Sequence, residues 1–187
     1  YQHNNANKMN QTKADQVFQR HIRLQGLLKT PGRGYSFLRR KGLQLAAKMI
    51  DGMLLLIQLL RRNMRFGGAI RLDHVMALCR LFWIPKGKAA AEGTYVHYPF
   101  EDLLAIIALE SVRSKTIVIG EDLGTVPDWV RDQLSKAGVL SYRVFYFERR
   151  GDGSWKTPNE YPQQALAVVT THDLPTLTGF WSGEDLQ

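Results

Sequence analysis

The chain has 187 residues, 44% of them hydrophobic and 10% aromatic, enough for one ordinary globular domain with a core. Its formal net charge of +8 is unevenly spread: residues 1–72 hold 14 Lys+Arg against 2 Asp+Glu, and residues 73–187 hold 11 against 15. The basic part has no nucleic-acid motif, the apolar window Leu43–Leu60 is broken by Lys48, Asp51 and Gln58, and the single thiol Cys79 cannot form an internal disulfide. These features argue against nucleic-acid and membrane partners and for a reducing, cytoplasmic setting.

The opening YQHNNANKMN is polar, lacks the apolar run of a signal peptide, and starts on Tyr rather than Met, which suggests a missing or processed N-terminus. Residues 1–30 show no clean period, and Pro31-Gly32-Arg33-Gly34 is a breaker cluster. Residues 42–65 read as a helix, densely apolar from Met53 to Leu60 and stopped by Gly67-Gly68. Ala69–Leu72 is a short apolar strand that ends at Asp73, and a long loop with Pro85, Gly87 and Gly93 follows. Pro99 opens a second helix, with Glu101 and Asp102 in its first turn, where negative charge suits the helix dipole. Leu103, Leu104, Ile106, Ile107 and Leu109 form its apolar face. The β-branched run Thr116–Ile119 predicts a strand buried on both faces, ending at Gly120-Glu121. Thr125–Asp128 starts a third helix, which runs to about Lys136 and is closed by Gly138. Tyr142–Phe147 and Ala165–Thr170 are the remaining strands, the last followed by His172-Asp173.

Short strands alternating with helices predict an α/β fold, a parallel sheet covered by helices. An open doubly wound sheet and a closed barrel both fit. In either, ligands bind beyond the C-terminal ends of the strands. Three strands end there on acids, Asp73, Glu121 and Asp173, so three carboxylates converge on one mouth. Converging carboxylates suit metal binding through oxygen or glycoside cleavage. Arg71 lies two residues before Asp73, on the same face of its strand. A cation fixed there weakens a metal site and suits a carboxylate that must attack as an anion. His172 adds a hydrogen-bond donor for sugar hydroxyls. Trp83, Tyr95, Tyr98 and Trp129 offer flat faces to sugar rings, although buried packing is equally ordinary for such residues. Asp122 and the histidines His74 and His97 read as structural. Glu148, Arg149 and Asp152 read as solvated loop charges, with contact to an acceptor sugar the alternative. Asp173 as a helix cap after Pro175 is the bland alternative to its site role. His3 and His21 fit no metal-ligand spacing, and no P-loop or dinucleotide fingerprint occurs, so neither a metal nor an organic cofactor is expected.

The text IQLLRRNMRFGGAIRLDHVMALCRLFWIP, EGTYVHYPFEDLLAIIALES, VIGEDLGTVP, GVLSYRVFYFER and YPQQALAVVTTHDLPTLTGFW, over about residues 57–187, resembles the 4-α-glucanotransferases, or amylomaltases, of the α-amylase clan. R-x-D-H, G-E-D-L-G and T-H-D in that order carry the resemblance. It implies a (β/α)8 barrel, of which this chain holds roughly strands four to seven. It implies Asp73 as nucleophile, Glu121 as general acid/base and Asp173 as transition-state stabiliser, with Arg71 and His172 holding the nucleophile and the sugar. The implied partners are malto-oligosaccharides, and the implied reaction is retaining transfer of α-1,4-glucan. An α-amylase-like hydrolase and a non-catalytic glucan-binding fragment are the alternatives. Residues 1–56 do not resemble the family. A shifted reading frame and an authentic divergent arm both account for that basic text. The expected organisation is therefore an atypical segment over residues 1–56 and a partial catalytic barrel over residues 57–187, not active as an isolated chain.

Overall fold

The computed structural model describes residues 37–183. The expectations for the breaker at Pro31–Gly34 and for His3 and His21 lie outside the described residues. In chain order the elements are α1 (Phe37–Met64), β1 (Ala69–Leu72), β2 (Arg80–Trp83), β3 (Thr94–His97), α2 (Phe100–Ser114), β4 (Ile117–Gly120), α3 (Asp128–Lys136), β5 (Leu140–Val144), β6 (Ala165–Val168) and α4 (Leu177–Ser182). No described helix is long and apolar enough to cross a membrane. By contacts the chain divides into two units. One ends at Ile70 and resumes over Ala77–Ile117; the other comprises Arg71–Met76 and the chain from Val118 onward.

In the first unit α1 packs on α2. Ile50, Met53, Leu60 and Met64 of α1, and Phe100, Leu104, Ile106 and Ile107 of α2, are buried. The helix therefore forms where the apolar spacing predicts, but it begins at Phe37 rather than at residue 42, and it runs through position 56 without a break. Glu110 of α2 is 2% exposed and carries a bidentate pair with Arg61, at 2.7 and 2.8 Å. The long loop of the sequence reading proves to hold structure: β2 and β3 form an antiparallel hairpin, Arg80 opposite His97 and Trp83 opposite Thr94. Strands of four residues joined by a connection with Pro85 and Gly87 give too short an alternation to be read locally. Gly93 is required here, because a Cβ would lie 2.5 Å from the Phe82 ring and 2.9 Å from the Trp83 carbonyl.

The four-stranded sheet has the order β1-β4-β5-β6. Ile117 N–H donates to Gly68 O and Glu121 N–H to Leu72 O, so the register of β1 and β4 advances in the same direction and the pair is parallel. β4 pairs parallel with β5, Gly120 opposite Ser141, and β5 with β6, Val144 opposite Val168. The fold is thus α/β with a parallel sheet. Ile119, Tyr142, Val144 and Tyr146 form a buried cluster, joined by Leu123, Val168, Leu174 and Phe180. Val130 and Leu134 of α3 are also buried. Gly120 is squeezed between Val75 and Val139, each 3.1 Å from where a Cβ would stand.

Strand limits differ from the sequence reading. The first residue of the Thr116–Ile119 run leaves the ladder, because its N–H donates to Ser111 O at 3.0 Å, and Ile117 is exposed rather than buried. The strand predicted over Tyr142–Phe147 is β5, over Leu140–Val144, followed by a 3-10 turn at Phe145–Phe147. Aromatic and β-branched residues favour strands, so their run extends the reading past the strand's end; in the turn Phe145 stacks on Trp155, ring centroids 4.3 Å apart.

Candidate active site

Asp73 and Glu121 are the first residues beyond the C-terminal ends of β1 and β4, which are neighbours in the sheet. Arg71 Nη1 meets Asp73 Oδ1 at 2.7 Å, as their shared strand face requires. The same guanidinium lies over the Tyr142 ring, 5.0 Å from its centroid, so β5 holds the cation that holds Asp73. Asp73 remains open, its side chain 75% exposed.

Both oxygens of Glu121 accept from backbone. Oε2 takes the N–H of His74 at 2.9 Å and Oε1 the N–H of Leu123 at 2.8 Å. The acid is thereby joined to the residue directly after Asp73. Asp122, next in the chain, is 4% exposed and turns the other way. Its carboxylate accepts from Tyr142 N–H at 2.9 Å, Ser141 Oγ at 2.7 Å and Arg131 Nε at 3.4 Å. Arg131 also donates to the carbonyls of Val126 and Asp122, at 2.7 and 3.1 Å. One guanidinium on α3 thus clasps the loop that follows Glu121. Asp122 has the structural place the sequence reading assigned it. Arg131 and Ser141 carry no local sequence signal of such a clasp, because each acts on a partner at least nine residues away.

His172 and Asp173 lie in the turn after β6, two places from β4 in the sheet. His172 Nε2 is 3.2 Å from Asp173 Oδ2, and the two side chains are 78% and 77% exposed. The turn is anchored through the Pro175 carbonyl, which accepts from Tyr146 Oη at 3.1 Å and Thr170 Oγ1 at 2.8 Å. Asp173 does not cap α4. Thr176 does, its hydroxyl oxygen accepting from Gly179 N–H.

Glu148 corrects the loop-charge expectation. It is 6% exposed, with Lys156 Nζ at 2.6 Å and Arg143 Nη1 at 3.6 Å. Its two cations make it a packed ion cluster. Arg149 lies over the Trp155 ring at 3.5 Å, and Asp152 accepts from Ser154 N–H and Oγ, bonds that hold its carboxyl below the usual range. Trp129 is 53% exposed at the start of α3, while Trp83 and Tyr95 stand on the hairpin, with Trp83 Nε1 donating to Tyr98 Oη. Among the described residues, no group of three or more His, Cys, Asp or Glu is placed to hold a metal ion.

Chemically, the second unit presents an open carboxylate with a fixed cation, a second carboxylate oriented by backbone on the adjacent strand, and an exposed His–Asp pair. Residues 49–187 match the family model described as 4-alpha-glucanotransferase. A 4-alpha-glucanotransferase of Haemophilus influenzae is 53% identical over 131 residues, 70% of this chain and 19% of that protein. One of Mycobacterium bovis is 41% identical over 133 residues, 69% of this chain and 18% of that protein. The crystal structure of amylomaltase from Corynebacterium glutamicum superposes with a TM-score of 0.68 at 39% identity, covering 76% of this chain and 20% of that one. An amylomaltase from Streptococcus agalactiae, solved in complex with acarbose, superposes with a TM-score of 0.56 at 19% identity, over 67% of this chain and 26% of that one, a likeness of fold alone. The chain spans about a fifth of the length of the curated relatives named here, and its sheet is part of a (β/α)8 barrel.

Proposed function

This chain belongs to the 4-alpha-glucanotransferase family, and on that premise we propose that it carries the carboxylates of an enzyme that moves α-1,4-glucan segments between malto-oligosaccharides with retention. The observation that carries the reading is the hydrogen bond from His74 N–H to Glu121 Oε2, which joins the acid just past β4 to the residue after Asp73, just past β1. Retention requires the Asp73 and Glu121 carboxyls to stand ~5–5.5 Å apart.

In this proposal Asp73 attacks the anomeric carbon while Glu121 protonates the departing glycosidic oxygen. The bond to the leaving sugar breaks as the Asp73 ester forms. Glu121, now a carboxylate, takes the proton from the hydroxyl of an incoming sugar, which attacks the ester and releases Asp73. Arg71 holds Asp73 in line through its 2.7 Å pair. Asp173 and His172 bind sugar hydroxyls and support the positive charge that develops at the ring. This machinery lies within residues 57–187, apart from the basic segment over residues 1–56, and the protein works in the cytoplasm, where the lone thiol Cys79 stays reduced.

The test is product analysis with maltotriose. The protein is the complete Haemophilus influenzae relative, its matching stretch replaced by residues 57–187 of this chain. A ladder of longer glucans supports transfer. Products shorter than the donor alone assign a hydrolase. A folded chimera without turnover removes the catalytic reading.

A further inference from the structure

Just beyond the ends of β1 and β4 the pairing continues with one residue too many. In a regular parallel pair, the carbonyl that receives a residue's N–H and the N–H that binds its C=O lie two positions apart on the facing strand. Glu121 N–H donates to Leu72 O at 2.9 Å, and Glu121 O accepts from Val75 N–H at 3.0 Å, three positions apart. The extra residue makes Asp73-His74 a bulge. Bulges bend a strand end and re-aim its side chains, and they are enriched beside active sites.

The conformation that admits the bulge is unusual. Among the described residues two non-glycines have positive φ, His74 at 46° and Lys115 at 52°. Lys115 caps the C-terminus of α2, an ordinary place for a left-handed residue. His74 instead lies between the end of β1 and the start of a 3-10 helix over Val75–Leu78, not at a helix C-terminus. What the left-handed turn accomplishes is visible in the bonds. The N–H freed by the extra residue points at Glu121 Oε2, at 2.9 Å. Leu72, His74 and Val75 therefore bind Glu121 at its N–H, its side chain and its carbonyl in turn.

We infer that His74 is a positioning residue that acts through its backbone: the Asp73–His74 bulge sets the rotation of the Glu121 carboxyl relative to Asp73. This rests on the proposed acid/base role of Glu121. The imidazole is exposed and is not what the inference invokes. The requirement at position 74 is a free N–H and a backbone that tolerates positive φ, which Gly and Asn meet and β-branched Val does not.

The experiment compares His74→Gly, His74→Asn and His74→Val in the chimera described above, with Glu121→Gln beside them. His74→Gly and His74→Asn keep transfer from maltotriose within about threefold, while His74→Val loses about 10²-fold in kcat with little change in KM, the scale of a small misplacement. The Val loss shrinks on a glucosyl fluoride, whose departure needs no proton from Glu121. Equal activity of the Val and Asn variants overturns the inference. Equal losses in all three transfer the role to the imidazole and overturn it as well. If Glu121→Gln retains transfer from maltotriose, the acid/base reading falls instead. A second readout needs no turnover and guards against misfolding of the Val variant. In the full 187-residue chain, Glu121→Gln moves the amide NMR signals of both His74 and Leu123. A Leu123 amide that moves while that of His74 stays fixed overturns the bulge contact.

Discussion

The carboxylate of Asp122 accepts the backbone N–H of Tyr142 at 2.9 Å, so the residue beside Glu121 is sewn into the adjacent strand. Asp122→Ala leaves three donors, Tyr142 N–H, Ser141 Oγ and Arg131 Nε, without this acceptor in a buried place. The expected loss is about 2–4 kcal/mol, the range for orphaned buried partners. Asp122→Asn keeps one carbonyl oxygen and is expected to lose about half as much. Denaturant midpoints at constant slope measure both. Losses below about 0.5 kcal/mol for the Ala variant show that the clasp does not hold the loop.

Glu121→Gln keeps the shape of the side chain and removes its exchangeable proton. Transfer from maltotriose is expected to fall about 10²–10⁴-fold, the usual worth of general acid/base assistance. On a glucosyl fluoride the first step recovers, and the glucosyl-enzyme accumulates because no base activates the acceptor. Burst kinetics with the two donors check this. Equal losses on both remove Glu121 from the acid role.

The Arg61–Glu110 pair is asymmetric. Arg61 is 54% exposed and Glu110 2%, and the bonds to Glu110 hold the Arg61 guanidinium above its already high range. Removing the cation strands a buried anion that keeps only Arg113 Nη1, at 3.1 Å. Removing the anion frees a cation already half in water. Arg61→Leu is therefore expected to destabilise by about 3 kcal/mol and Glu110→Leu by about 1 kcal/mol or less. Thermal or denaturant unfolding gives the order, and the reverse order refutes it.

Glu160 carries the clearest pH signature. The hydrogen bonds of Arg150, then those of Thr157 N–H and its hydroxyl, lower its pKa from 4.5 to about 2. A depressed folded-state value means that the unfolded chain binds the proton first, so stability rises with pH across this window. The contribution is complete above about 4.5 and is lost as pH falls through about 2. Melting temperatures of the chain and of Glu160→Gln from pH 6 to 2 test this. The variant is expected to melt lower at pH 6 and to converge with the parent near pH 2. A constant gap across the window contradicts the assignment.

Much of this protein is written locally. Alternating apolar strands and helices specify a parallel α/β fold, because each strand and helix face must be buried against another. An acid directly after a strand is a statement about one position, so the places of Asp73 and Glu121 beyond β1 and β4 could be read residue by residue. The pair Arg71–Asp73 follows from the two-residue period of a strand. Other features depend on partners far along the chain. The bulge at Asp73-His74 is held by three groups of Glu121, its N–H, side chain and carbonyl, bonded to Leu72, His74 and Val75, and nothing within Arg71–Met76 announces an extra residue. Glu148 reads as a loop charge until Arg143 and Lys156 close around it. Asp122 and Arg131, or Arg61 and Glu110 across the two helices, become pairs only when packing removes the water that would otherwise solvate them. Periodicity encodes which face is buried, whereas a buried polar contact is a relation between two segments, and only the folded chain brings those segments together.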